Sequence, residues 1–493
     1  MALGDSHEDS PDVETFDVLV VGAGVSGVNA AYRLQSQAPH ATFAVLEGRG
    51  SVGGTWDLFR YPGVRSDSDL FTFGFQWEPW PYETPIAEGP LIREYMKTCI
   101  AKYNLDRYIR FHHKVTAADW SRHTQQWKVT AEHDGRKKEF RATWVLLGTG
   151  YYDYDNPLQT VIPGLEQFKG KIIHPQHWPE DYDHSGKKMV VIGSGATTVS
   201  LVPALAKTAE AVTIVQRSPS YVVSMKNDTP RKSWLMKYLS QSTFGTLLRI
   251  QWVMSSYISV LFCLYFPERA RARINNMVKA QLPSRISDSP HFKPAYRPWE
   301  QRLCITPDGD FFRAFRENPN TNIVTGHIET VTESGLRMKD GTTIDADTIV
   351  TATGLYFRLG GGIEVTVDGE KVDWAGRLLW HGSMIQDVPN MMFSIGYVNA
   401  SWTLGADDTA LILTRLLNHM KSKGVTTAIP RAPPGGTNGT QRMWQLDSTY
   451  SKLAEKRLPI YGNVGPWRPK TSPPLDWLDS KWGNIVTGLH FNP

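Results

Sequence analysis

The stretch FDVLVVGAGVSGVNAAYRLQ, residues 16–35, decides how the rest of the chain reads. Val18 to Val21 form an apolar, β-branched run of the kind found in a strand buried on both faces. Gly22, Gly24 and Gly27 follow in G-x-G-x-x-G spacing, then a helical pattern with the small residues Ala30 and Ala31 early in it. A second strand, TFAVLE, ends in Glu47. Strand, glycine turn, helix, strand and acid in that order make a dinucleotide-binding fingerprint in its confirming context. The glycines let backbone approach a pyrophosphate, the helix N-terminus offers free N–H groups to it, and Glu47 can accept from ribose hydroxyls.

The arrangement recurs in KKMVVIGSGATTVSLVPALA, residues 187–206, where Gly193, Gly195 and Thr198 hold the turn positions. Thr198 adds bulk where helix meets strand. The next strand, AVTIVQRS, ends in Arg217 and Ser218 rather than an acid. An acid would repel a 2′-phosphate, whereas an arginine bonds it, so this copy is expected to prefer NADP; the plain alternative for Arg217 is a solvated charge at a strand end. Two such folds in one chain point to electron transfer between cofactors, with FAD in the first and NADPH in the second.

Two strands run into a threonine–glycine pair, WVLLGTGYY before Gly150 and DTIVTATGL before Gly354, and they bracket the second fingerprint. The expected fold class is therefore α/β, with two Rossmann-like dinucleotide-binding domains, the second inserted in the first. The expected layout is a disordered tail over 1–13, a discontinuous FAD domain over 14–150 and 340–440, and an NADPH domain over 151–339. That second domain carries an apolar helical insert at about 224–300. Residues 441–493, rich in Pro, Gly and Trp, read as an irregular wrap.

The chain has 493 residues, 41% hydrophobic and 21% charged, with a net charge of +4. These are ordinary values for a globular protein, and the charge is too small to argue for nucleic acid. Cys99, Cys263 and Cys304 are far apart, which excludes a disulfide-reductase pair and a cysteine metal cluster and fits a reducing, cytoplasmic setting. No metal site is expected. Residues 250–266, IQWVMSSYISVLFCLYF, carry no charge. They are read first as a buried core helix, with a helix lying on a membrane surface as the second choice and a bilayer span as the third.

A further stretch, FKGKIIHPQHWPEDYD (168–183), follows neither a helical nor a strand period. Its Phe168, Gly170, His174, Trp178 and Pro179 match the F-x-G-x-x-x-H-x-x-x-W-P fingerprint of Baeyer–Villiger monooxygenases, and the chain resembles that family. Gln176 within the motif is similar to the branch of the bacterial ethionamide-activating monooxygenase. GGTWDLFRYPGVRSD (53–67) holds Gly54, Trp56, Tyr61, Pro62, Gly63 and Asp67 at the family's places, with Thr55 a further cofactor-binding candidate, and RPWEQRLCITPDGDFFRAFR (297–316) is similar to the same branch.

The resemblance implies a flavin monooxygenase that uses NADPH and O2. It would insert one oxygen beside a ketone carbonyl through a C4a-peroxyflavin to give an ester or lactone, with sulfides as side substrates. Heteroatom hydroxylation and uncoupled NADPH oxidation are the alternatives. The family's catalytic arginine maps onto Arg302, with Arg297 as rival, and Asp67 would orient it, with Asp69 as competitor. Gln301 stands where some relatives carry Lys, which puts more of the 2′-phosphate contact on Arg217. Trp56 and Tyr61 are expected to pack around the flavin. His174 is expected to be a hydrogen-bonding strut in a jointed linker rather than an acid or base, and His177 has no assigned role.

Overall fold

The structure, a computed structural model, describes residues 13–228, 238–445 and 449–493. The tail expected over 1–13 lies outside the described residues apart from Val13. The strand Glu14–Val21 sits inside a nine-stranded sheet, parallel to Phe43–Leu46 on one side and to Arg136–Leu147 on the other, with Val20 opposite both Val45 and Leu146. Val18, Leu19 and Val20 are completely buried, as a strand covered on both faces requires. Arg136–Leu147 also starts an antiparallel meander with Gln126–His133 and Lys114–Ser121. Helices α1 (Val25–Gln37), α2 (Thr55–Leu58), α3 (Leu70–Phe73) and α4 (Gly89–Lys102) complete this part of the first unit.

A second, five-stranded sheet is parallel throughout, in the order Thr321–Thr325, Ala211–Gln216, Lys188–Ile192, Thr348–Thr351, Lys171–Ile173. α5 (Ala196–Leu205) and α8 (Asp310–Glu317) pack on it, α7 (Pro267–Lys279) lies against the neighbouring strand Val222–Met225, and α6 (Gln241–Tyr265), though in the same stretch of chain, packs on α3 of the first unit. Phe311, Phe312 and Phe315 turn one face of α8 into the core of this unit. The chain then rejoins the first sheet, where Glu364–Val367 pairs with Lys114–Ser121 and Met391–Phe393 with Arg136–Leu147, and continues through α9 (Trp402–Lys423), α10 (Thr449–Ala454) and α11 (Pro473–Trp482).

Three expectations are corrected here. The return to the first unit does not begin at 340: Thr348–Thr351 pairs with Lys188–Ile192 and Lys171–Ile173, so that strand belongs to the second sheet and the crossing follows Ala352. The segment 441–493 is more regular than a wrap, because α11 packs on α9 and Leu489–Asn492 pairs with Thr427–Pro430. The run 250–266 is the greater part of α6, and it is not a buried core helix: Ile250, Ile258 and Leu264 are each more than half exposed.

Candidate active site

The first glycine turn is tight. A Cβ on Gly27 would run into the Gly22 carbonyl oxygen, which is why the turn needs glycine there. Gly24 caps α1, and its nearest neighbour beyond the turn is the Gly54 backbone of the GGTW loop. Glu47 is buried; its two carboxylate oxygens accept from the backbone N–H of Ala23 at 2.7 Å and of Arg49 at 2.8 Å. Burial pushes its carboxyl above the usual range, against the pull of those two bonds. Ribose hydroxyls would use the lone pairs left over.

The second turn is built alike. A Cβ on Gly193 would meet the Ala352 carbonyl, while a Cβ on Gly195, which caps α5, would meet nothing within 4 Å, leaving open space before the helix N-terminus. Thr198 is accommodated, buried, with its hydroxyl unpartnered. Arg217 and Ser218 are exposed at the end of Ala211–Gln216, and the Ser194 hydroxyl of the glycine turn donates to the Ser218 carbonyl at 2.9 Å. Both glycine turns thus offer open helix N-termini and the space that phosphate groups need.

One cavity of about 220 Å³ reaches from Gly24, Gly53, Thr55 and Trp56 on the first unit to Ala196 and Thr197 at the start of α5. A second cavity of about 330 Å³ lies under α6. Asp67 and Arg302 line both. The Arg302 side chain, about a third exposed, approaches Asp67 with Nη1 to Oδ2 at 3.6 Å, and its Nε donates to the Val398 carbonyl at 3.2 Å. Arg297 is exposed, lines neither cavity, and has its backbone N–H on the Glu300 carboxylate. Asp69 caps α3 through the Thr72 N–H at 2.8 Å, a structural task that separates it from Asp67.

The loop that brings Asp67 here also binds the two units together. The Tyr61 hydroxyl is 3.1 Å from that of Ser200 on α5, and Arg65 pairs with Asp310 and donates to the Val199 carbonyl at 3.2 Å. Tyr61 is therefore as much a contact between units as a wall of the cavity, where Trp56 also lies.

The fingerprint segment sits at the crossing between units. Phe168 and Trp178 are buried in separate apolar clusters of the second unit, Gly170 lies where a Cβ would strike the Asp347 carbonyl, and Pro179 follows Trp178 out of the core. His174 Nδ1 accepts from the Gln176 N–H at 3.2 Å, and burial pushes its imidazole down to about 4. The ring is therefore neutral at ordinary pH.

Two groups have roles that the sequence did not reveal. Gln176 is buried and donates to the carbonyls of Asp153 at 2.8 Å and Tyr154 at 3.1 Å. Asp153 in turn pairs with Arg358 at 2.6 Å, so the outgoing and returning strands are clamped at one point. Asp57, in α2, is buried and takes Arg49 at 2.8 Å, Arg60 at 2.9 Å and Arg93 at 2.8 Å. Burial raises its pKa, but hydrogen bonds from Arg49 and Arg93 outweigh that and hold the carboxyl below its usual range. Only the i, i+3 spacing of Asp57 and Arg60 was visible beforehand.

Two facing dinucleotide folds, with the Arg302–Asp67 pair on the wall of both cavities between them, define the class: a two-nucleotide oxidoreductase. Residues 20–84 match the NAD(P)-binding Rossmann-like domain and residues 80–291 the family described as Flavin-binding monooxygenase-like. The chain is 43% identical over 457 residues to the FAD-containing monooxygenase EthA of Mycobacterium tuberculosis, covering 92% of this chain and 93% of that one. It is 40% identical over 482 residues to the probable FAD-binding monooxygenase AlmA of Acinetobacter baylyi, covering 97% and 96%. The chain belongs to this family of FAD-containing, flavin-binding monooxygenases, and it is an enzyme of that kind. In fold it superposes on a steroid monooxygenase bound to NADP, with a TM-score of 0.74, 22% identity and 97% and 99% coverage. The corresponding figures for a closed cyclohexanone monooxygenase are 0.75, 20%, 97% and 99%.

Proposed function

We propose that this enzyme is a Baeyer–Villiger monooxygenase, consuming NADPH and O2 and converting a ketone to an ester or lactone with release of water. Its FAD would lie on the first unit, residues 13–150 with the returning chain, held by the turn at Gly22, Gly24 and Gly27, by Glu47 and by the Gly54–Trp56 loop. NADPH would lie on the second unit at Gly193, Gly195 and Thr198, its 2′-phosphate on Arg217 and Ser218. Held there, the flavin would supply the hydride-accepting and oxygen-activating chemistry.

Arg302 supplies a positive charge that no proton transfer can remove. Asp67 fixes its direction, and Val398 holds its Nε from behind. A charge fixed before the reaction stabilises negative oxygen without reorganisation. Trp56, Tyr61 and Trp402 give the cavity aromatic walls. The Gln176 clamp gives the two units a joint about which to shift between hydride delivery and oxygen transfer. The observation that carries this reading is the position of Arg302 on the wall shared by both cavities. The three free cysteines, all buried, support a cytoplasmic setting, and α6 is the place for peripheral membrane contact.

The test is a mass-spectrometric product screen with NADPH and isotopically labelled O2 across cyclic, aryl and long-chain ketones and sulfides. Labelled ester or lactone, one per NADPH, is the expected result. Sulfoxide alone would favour heteroatom oxygenation, and peroxide equal to NADPH with every ketone would favour an oxidase.

A further inference from the structure

Helix α6 has two faces with different tasks. Trp252, Val253, Ser256 and Val260 line the cavity that Arg302 and Asp67 also line. On the other side Leu247, Ile250, Met254 and Ile258 recur at helical spacing and are exposed, Ile258 by 58%. α11 packs beside α6 and exposes Leu475, Leu478 and Trp482, the last by 63%. Together with Leu264, Tyr265 and Phe266, these two helices carry more than half of the exposed large apolar side chains among the described residues. A concentration of this kind marks an interaction surface.

The acids around it are each engaged by a partner, and its remaining exposed charges are cations. α6 contains no acid, and its single cation, Arg249, is buried against the carbonyls of Phe71 and Gly74. Arg269 lies 5.6 Å above the Phe266 ring, and Lys481 lies 4.6 Å above that of Trp482. Glu268 nearby is taken up by Arg271. Of the α11 acids, Asp476 accepts from the Tyr397 hydroxyl and Asp479 pairs with His381.

We propose that α6 and α11 form a docking surface for an anionic lipid bilayer, and that α6 separates the bilayer from the substrate cavity, so that the enzyme takes lipid-soluble ketones from the membrane. The ketone clause rests on the oxygenation proposed above; the docking does not. Apolar rows flanked by cations match the boundary of an anionic leaflet. A two-fold dimer across the same face would bring like cations together. A membrane crossing would require α6 to unpack from α3 and from the cavity it walls, and would drag Arg249 away from its carbonyls.

The experiment is flotation of the FAD-loaded full chain with vesicles of phosphatidylcholine, alone or mixed with phosphatidylglycerol. The wild type should float with the mixed vesicles and stay behind with phosphatidylcholine alone. Ile250→Glu/Ile258→Glu should lose flotation, and Arg269→Ala or Lys481→Ala should weaken it roughly fivefold each. Flavin absorbance and thermal melting should match wild type, showing that the variants fold. Failure of the wild type to float, undiminished flotation of the double variant, or a stable dimer in light scattering that the double variant dissociates would each overturn the docking. Turnover of a long-chain ketone loaded into mixed vesicles should exceed that in phosphatidylcholine vesicles, and the advantage should vanish in the double variant. An unchanged ratio would overturn delivery. Flotation needs no product, so absence of any ester would sink the oxygenation and leave docking intact.

Discussion

Replacing Asp57 by Asn is expected to loosen the loop behind the first glycine turn. The carboxylate is 4% exposed and pairs with three guanidinium groups at 2.8–2.9 Å. Removing one member of a fully buried pair costs about 3–5 kcal/mol. Here Arg49, Arg60 and Arg93 are 38%, 30% and 24% exposed, so water recovers part of the loss and the expected cost is about 2–3 kcal/mol. That is a fall in Tm of roughly 5–10 °C in the transition of this unit. The pH dependence has a definite sign. The folded-state pKa of Asp57 lies below its ordinary 3.8, so the carboxylate's contribution is present in full above that value and is lost as pH falls through the folded pKa. Thermal melts of both proteins from neutral to acid pH, with flavin fluorescence as a second probe, should show a gap that is constant near pH 7 and closes as the medium becomes acid. Because Gly53 donates to the Ala23 carbonyl and Gly54 abuts Gly24, flavin should also dissociate earlier from the variant. Equal melting at pH 7, or a gap that widens in acid, would show that the Asp57 carboxylate does not hold this loop together.

Gln176→Leu deletes two buried hydrogen bonds at the crossing and leaves the Asp153 and Tyr154 carbonyls short of a donor, at a cost of about 1–3 kcal/mol; NADPH oxidation should persist while peroxide release rises, measured as peroxide per NADPH. Arg217→Ala should raise KM for NADPH about ten- to a hundredfold with kcat and the NADH parameters unchanged in steady-state assays. His174, held near 4 by burial, is neutral at working pH, so His174→Gln should shift the height of the pH–rate profile without removing a limb. Its stability contribution is full above the ordinary imidazole value of 6.5 and erodes as pH falls from there towards 4, so melts of the wild type should lose stability over that window more than the variant does.

Local order carried most of what was legible in the sequence. The strand–turn–helix units at residues 16–35 and 187–206 announce themselves because backbone packed against Gly27 and Gly193 leaves no room for a Cβ. The meeting of Arg302 with Asp67 rested on resemblance, since 235 residues separate them and no periodicity links them. The return point was misplaced because the strand at Thr348–Thr351 ends in the same threonine–glycine signal as the outgoing one, and only pairing tells which sheet it joins. Gln176 was noticed as a motif letter, yet its acceptors are backbone carbonyls, which leave no trace in side-chain identity. Asp57 and Arg93 likewise come together only in the fold. The uncharged run of α6 was read by composition, but whether such a helix is covered depends on neighbours that composition does not name.

The most direct measurement is the ester yield per NADPH of Arg302→Ala, with flavin reduction followed separately in a rapid-mixing spectrometer. Flavin reduction should proceed within a few-fold of wild type, while ester formation falls by about 10²–10³-fold and the NADPH consumed reappears as peroxide. An ester yield per NADPH equal to that of the wild type would show that the cation between the two cavities does not govern oxygen transfer.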